Sequence, residues 1–152
     1  RYAKHIGASD ERLYRALLVS DLVTIHQKTG IGRLSAYCGA VSAGCGAGAG
    51  IAYLLGGDYR AIAHTIVNAV AILSGTICDG AKPSCAAKIA SAVEAGILGY
   101  YMYVNDQQFR GGDGIVAKGV ENTIRNVGLL ASQGMKQTDR VILNIMTGDQ
   151  CL

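Results

Sequence analysis

Three cysteines carry the reactive chemistry that this sequence suggests most directly. Cys78 and Cys85 bracket the run Ile77-Cys78-Asp79-Gly80-Ala81-Lys82-Pro83-Ser84-Cys85, and Cys38 opens a glycine-rich stretch forty residues earlier. Asp79 and Gly80 place Cys78 in a turn. Pro83 suits the first turn of a helix, where its missing N–H costs nothing, so Cys85 is expected near a helix start. The positive end of a helix favours a thiolate there, and a thiolate binds metal. Cys45 follows Cys38 by seven residues on the same helical face, but about 10 Å further along at 1.5 Å per residue. It reads as a small buried hydrophobe. Cys38, Cys78 and Cys85, with no histidine or fourth cysteine nearby, admit three readings: a structural zinc lacking its last ligand, an iron–sulfur cluster with one iron open, or unrelated buried cysteines.

The elements that must position these thiols are helices. Residues 10–28 predict a first long helix capped by Ser9, with Tyr14, Leu18, Leu22 and Ile25 as its buried stripe and His26, beside it, a partly buried structural histidine. Residues 35–55 hold glycines so dense that a helix needs a compensating reason, at about 1 kcal/mol per glycine against alanine. Ala40, Gly44 and Gly48, at i, i+4 and i+8, make a smooth groove for another helix or a cofactor. Asp58 caps a third helix to about Leu73, with Ile62, Ile66, Val70 and Leu73 inward and His64 and Asn68, at i and i+4, on another face as a polar pair, either satisfied within the core or pointed at the site. Residues 84–104, nearly free of charge, predict a fourth helix buried on most sides and ending in a packing cluster of Tyr100, Tyr101 and Tyr103. A polar loop, 105–114, precedes a fifth helix near 115–132 with Val120, Ile124, Val127 and Ala131 inward. Thr138 caps a last helix that carries Val141, Ile142, Ile145 and Met146 and stops at Gly148. No segment alternates like a strand, so the expected fold is all-α: five or six helices, in one domain over residues 1–152, around a buried glycine-rich helix.

Composition excludes several functions. With 152 residues, half of them apolar, one core can form, and one proline leaves 21 glycines as the punctuation. Fourteen basic against eleven acidic residues give +3 with no basic run, which argues against nucleic acid. The apolar stretches 41–55 and 62–73 are short or interrupted for a membrane span. No Gly-Lys-Ser/Thr follows the glycines, which argues against a phosphate loop. Five cysteines, an odd number, fit a reducing cytoplasmic setting better than a disulfide framework. The chain opens at Arg1, with no signal peptide, and reads as a piece of something longer.

Tyr37-Cys38-Gly39-Ala40, Gly44-Cys45-Gly46 through Gly50, Ile77-Cys78-Asp79-Gly80 and Cys85 together resemble the iron–sulfur L-serine dehydratase alpha-chain family, most closely its L-cysteine desulfidase branch. The resemblance covers nearly the whole chain and corresponds to the family's C-terminal catalytic portion. It implies a four-iron, four-sulfur (4Fe-4S) cluster on Cys38, Cys78 and Cys85, with the fourth iron free for substrate as in aconitase-type dehydratases. It further implies a lyase that eliminates sulfide from L-cysteine or water from L-serine, leaving an enamine that hydrolyses to pyruvate and ammonia without pyridoxal phosphate. An open iron acts as Lewis acid on the leaving atom, and a base removes the α-proton. No residue here stands out as that base, and the resemblance implies that part of the site comes from an N-terminal portion absent from this chain. Asp79 and Lys82 flank the ligands and are placed to orient them or bind the substrate carboxylate. Cys151 has two readings: a frayed terminal thiol, or, by analogy with a chain-end cysteine in the serine dehydratases, a transient ligand of the open iron. A homodimer is a further expectation. The alternative is a noncatalytic helical interaction module that binds a partner through its glycine groove, its cysteines buried and unmetallated.

Overall fold

The computed structural model describes residues 1–148 and is all-α. Its helices are α1 (Tyr2–His5), α2 (Asp10–Ile31), α3 (Gly39–Leu54), α4 (Tyr59–Leu73), α5 (Ser84–Val104), α6 (Val120–Leu129) and α7 (Lys136–Thr147), with a π-helical turn, Leu130–Gly134, joining the last two. The glycine-rich helix α3 is the buried centre, and α2, α4 and α5 all pack on it. Its glycines explain how. A Cβ on Gly44 would lie 2.4 Å from the Ala92 carbonyl oxygen, and one on Gly48 would lie 2.7 Å from the Gly96 Cα of α5. On the opposite side, a Cβ on Gly46 or Gly50 would strike Thr24 and Ser20, or Ala16, of α2. Two helices thus approach α3 backbone to backbone, and the expected groove is filled by α5. The contact surface of these close approaches offsets the helix propensity that the glycines forfeit.

The predicted caps at Ser9 and Asp58 form, each side chain accepting a first-turn N–H, from Arg12 and Ala61. Ile66, Val70, Leu73, Val120, Ile124, Val127 and Ala131 are buried as expected. Gly148 ends α7 in the left-handed conformation.

Six expectations are corrected. The stripe Tyr14, Leu18, Leu22 and Ile25 is on the surface, each residue more than 60% exposed; α2 turns its small and polar face, with Ala16, Ser20, Thr24 and Gln27, to the glycines of α3. His26 is largely exposed and pairs with Glu121 at 2.8 Å. Helix α5 buries only Ala92, Ala95, Gly96 and Gly99, so one small-residue face is covered rather than most sides. Helix α7 begins at Lys136, not at Thr138, and buries none of its residues. Helix α6 also starts five residues later than expected, after Gly119. Asn68 and His64 do not act as a pair: Asn68, fully buried, donates to the Gly99 carbonyl and accepts from the Phe109 N–H, both at 3.0 Å, while His64 stacks on Tyr103. Among the described residues no helix is long and apolar enough to cross a membrane.

Candidate metal centre

The segment leading into α3 and the segment leaving α4 meet in an isolated antiparallel bridge between Tyr37 and Ile77. The Cys38 N–H donates to the Thr76 carbonyl at 3.2 Å, and the Cys78 N–H to the Ala36 carbonyl at 2.6 Å. Two thiols forty residues apart in the chain thereby become diagonal neighbours across one pair of extended segments. Ser35 fixes the approach, its hydroxyl accepting the Tyr37 N–H at 3.0 Å and donating to the Ala131 carbonyl at 2.8 Å. Cys38 is then the N-cap of α3 and is buried.

Cys85 comes to the same end of the molecule from α5. Gly80, at φ +90, reverses the chain where a side chain would be strained, and Pro83 caps α5 two residues ahead of Cys85. The Cys85 thiol donates to the Gly80 carbonyl at 3.6 Å. Cys78 and Cys85 are half-buried.

Lys88, a turn further along α5, ties the three segments together. Its ammonium donates to the Ile77 carbonyl at 2.8 Å and to Asp79 Oδ1 at 2.7 Å. The Asp79 hydrogen bond raises the Lys88 pKa against the opposing effect of burial, and the Asp79 charge adds to the rise. Lys82 also pairs with Asp79. The hydrogen bond from Lys82, then that from Lys88, holds the Asp79 carboxyl at about 2. Asp79 therefore pairs with two lysines, and Lys88 spends only two of its three protons on the protein. Beside Lys88 lies a cavity of about 360 Å³ lined by Val41, Leu73, Thr76, Ser84 and Ser91.

Among the described residues, no three His, Cys, Asp or Glu side chains stand close enough together, as placed, to hold a metal ion. The donor chemistry nevertheless fits: Cys38, Cys78 and Cys85 are all free thiols, soft ligands suited to iron–sulfur or zinc. Cys45 is fully buried against the core, and burial pushes its thiol up to about 12, so it stays protonated at neutral pH. Cys151 lies outside the described residues.

Lys88 is the residue that sequence reasoning passed over. Its signal was present: it is three residues past Cys85, on the same helical face, and with Glu94 it supplies the only charges of α5. The Tyr37–Ile77 bridge had no periodic signal at all.

Residues 1–144 match the family described as serine dehydratase alpha chain. The chain is 69% identical, over 99% of its length, to a UPF0597 protein of Desulfitobacterium hafniense, 51% identical over 97% to one of Treponema denticola, and 48% identical over 97% to one of Fusobacterium nucleatum. It spans about a third of the length of these relatives, 34–35% in each case. No solved structure matches it.

Proposed function

The chain belongs to the serine dehydratase alpha chain family, and from that premise we propose that it is the cluster-binding part of an iron–sulfur amino-acid lyase that eliminates sulfide or water from L-cysteine or L-serine. The observation that supports the reading is that the Tyr37–Ile77 bridge sets the backbones of Cys38 and Cys78 side by side, while Lys88, three residues past Cys85 on α5, bonds the Ile77 carbonyl of the same bridge. In this proposal those three cysteines hold a four-iron, four-sulfur cluster, which when bound supplies a Lewis-acidic iron for the leaving sulfur or oxygen.

The chain's own residues then do the rest of what these segments can do. Lys88, fixed by Ile77 and Asp79, turns its remaining proton to the substrate carboxylate and so orients the amino acid. Asp79 aims Lys82 and Lys88 through its ion pairs with both. The apolar wall of Val41 and Leu73 limits water at the cavity beside them. The whole enzyme, including the group that takes the α-proton, extends into the portion of the polypeptide beyond this chain, and we place it in the cytoplasm, where thiols stay reduced.

The test is an anaerobic assay of the full-length protein, reconstituted with iron and sulfide, with L-cysteine or L-serine as substrate. Release of pyruvate and ammonia, with sulfide from cysteine, is expected. Release of neither pyruvate nor sulfide by a protein that carries its full complement of iron overturns the reading in favour of an interaction module.

A further inference from the structure

A second cavity, about 540 Å³, lies at the other end of α4. From Arg60 on its wall to Leu73 beside the cysteines is about 20 Å along the helix, at 1.5 Å per residue. The polar lining comes from three elements: Arg60 and His64 from the first turns of α4, Gln108 and Arg110 from the loop after α5, and Lys118 just ahead of α6. No carboxylate lines the cavity, and among the described residues none of Arg60, Arg110 and Lys118 makes an ion pair. Helix α6 starts at the same wall, at Gly119 and Val120, and no side chain caps its first turn. Burial, and secondarily Arg60, lower the pKa of His64, so it stands there as a neutral ring.

The walls are held from behind. Asn68 pins the Phe109 N–H at 3.0 Å, and Thr123 Oγ1 accepts the Ala117 N–H at 3.1 Å. Phe109, Val67 and Val116 give the cavity an apolar floor. One polar atom is left over: the side-chain oxygen of Gln108 is buried and receives no hydrogen bond. Buried acceptors in folded proteins nearly always have a donor.

We propose that this cavity binds a small dicarboxylic acid bearing its own hydroxyl or ammonium group. Its carboxylates meet Arg60, Arg110 and Lys118, where guanidinium forks and an ammonium suit them, and a turn of the Gln108 side chain brings its buried, unpartnered oxygen to the ligand's donor. Charge selects an anion, and the orphan acceptor selects among anions. The inference stands on the cavity alone and is separate from the cluster reading.

The experiment is calorimetric titration of the full-length protein without reconstituted cluster, so that a failed reconstitution does not bear on the result. The probes are L-malate and L-aspartate, which carry a donor, succinate, which does not, and inorganic phosphate. Malate or aspartate is expected to bind about tenfold more tightly than succinate, the effect of roughly one hydrogen bond. Binding is expected to fall by about tenfold or more in Arg60→Ala and in Arg110→Ala, both exposed side chains whose loss leaves the fold intact. Gln108→Met is expected to erase the preference over succinate while leaving succinate binding in place. Absence of binding by all four probes, equal binding of malate, succinate and phosphate, or unchanged affinity in both arginine variants each overturns the proposal.

Discussion

Alanine at Cys38, at Cys78 or at Cys85 is expected to leave the full-length protein colourless after anaerobic reconstitution, where the parent turns brown, and to lower lyase turnover by about a hundredfold or more. Loss of even an outer-shell partner of a metal site costs 10- to 100-fold, and loss of a ligand is at least as severe. The cysteines are not equivalent in what else they do. Cys38 is buried at the start of α3, so its replacement also opens a small void, whereas Cys78 and Cys85 are half-buried and their loss touches the fold little. Cys45→Ala is the control. It lies deeper than the other three, is kept protonated by burial, and is expected to retain full colour at a small cost in stability. Iron and sulfide content of the four variants, beside a melting curve for each, separates cluster loss from unfolding.

Gly48→Val is expected to destabilise the protein by about 3 kcal/mol, the upper range for forcing atoms into a packed contact. The new Cβ would lie 2.7 Å from the Gly96 Cα, and the reciprocal position is no better: a Cβ on Gly96 falls 2.6 Å from the Gly44 carbonyl oxygen. Neither obstacle is a side chain that can swing away; both are backbone of α3 and α5. For a domain of this size the cost corresponds to a melting temperature lower by roughly 10 °C. Gly39→Ala supplies the contrast. It also sits in α3, but nothing lies within 4 Å of the added Cβ, and its effect is expected to stay within about 1 kcal/mol. Because α3 and α5 each present one cysteine at their first turns, prising them apart is expected to reduce cluster retention as well. Differential scanning calorimetry with iron analysis of the same samples reads both effects.

Helix starts, stops and small-residue contacts were legible because they rest on local chemistry. Ser9 and Asp58 announce themselves as caps, Gly148 as a terminator, and the Gly44–Gly48 spacing as a groove. What periodicity conceals is which face of a helix turns inward. On α2 the large apolar residues Tyr14, Leu18, Leu22 and Ile25 keep helical spacing, but the neighbour they would pack on is the glycine helix, which admits only small side chains. Close approach therefore selects the face of Ala16 and Ser20, and the large residues stay outside. An apolar stripe marks an interaction surface as readily as a core. The candidate site shows the same division. The cysteines stood out by type and spacing, but their segments are joined by the Tyr37–Ile77 bridge, two residues paired across forty, and by the reach of Lys88, which no local pattern announces. Asp79 and Lys82 were singled out together, and they do pair, but the same carboxylate also pairs with Lys88, which was not singled out.

The central claim is that three sulfur side chains hold a cluster whose remaining iron meets the amino acid. Mössbauer spectroscopy of the full-length protein, reconstituted with iron-57 and recorded before and after adding L-cysteine or L-serine, examines that claim most directly. The account predicts one iron subsite distinct from the others, its signal moving when the amino acid is added. A spectrum in which all cluster irons are alike and indifferent to both amino acids, or one without cluster iron from a protein that still folds, would contradict it.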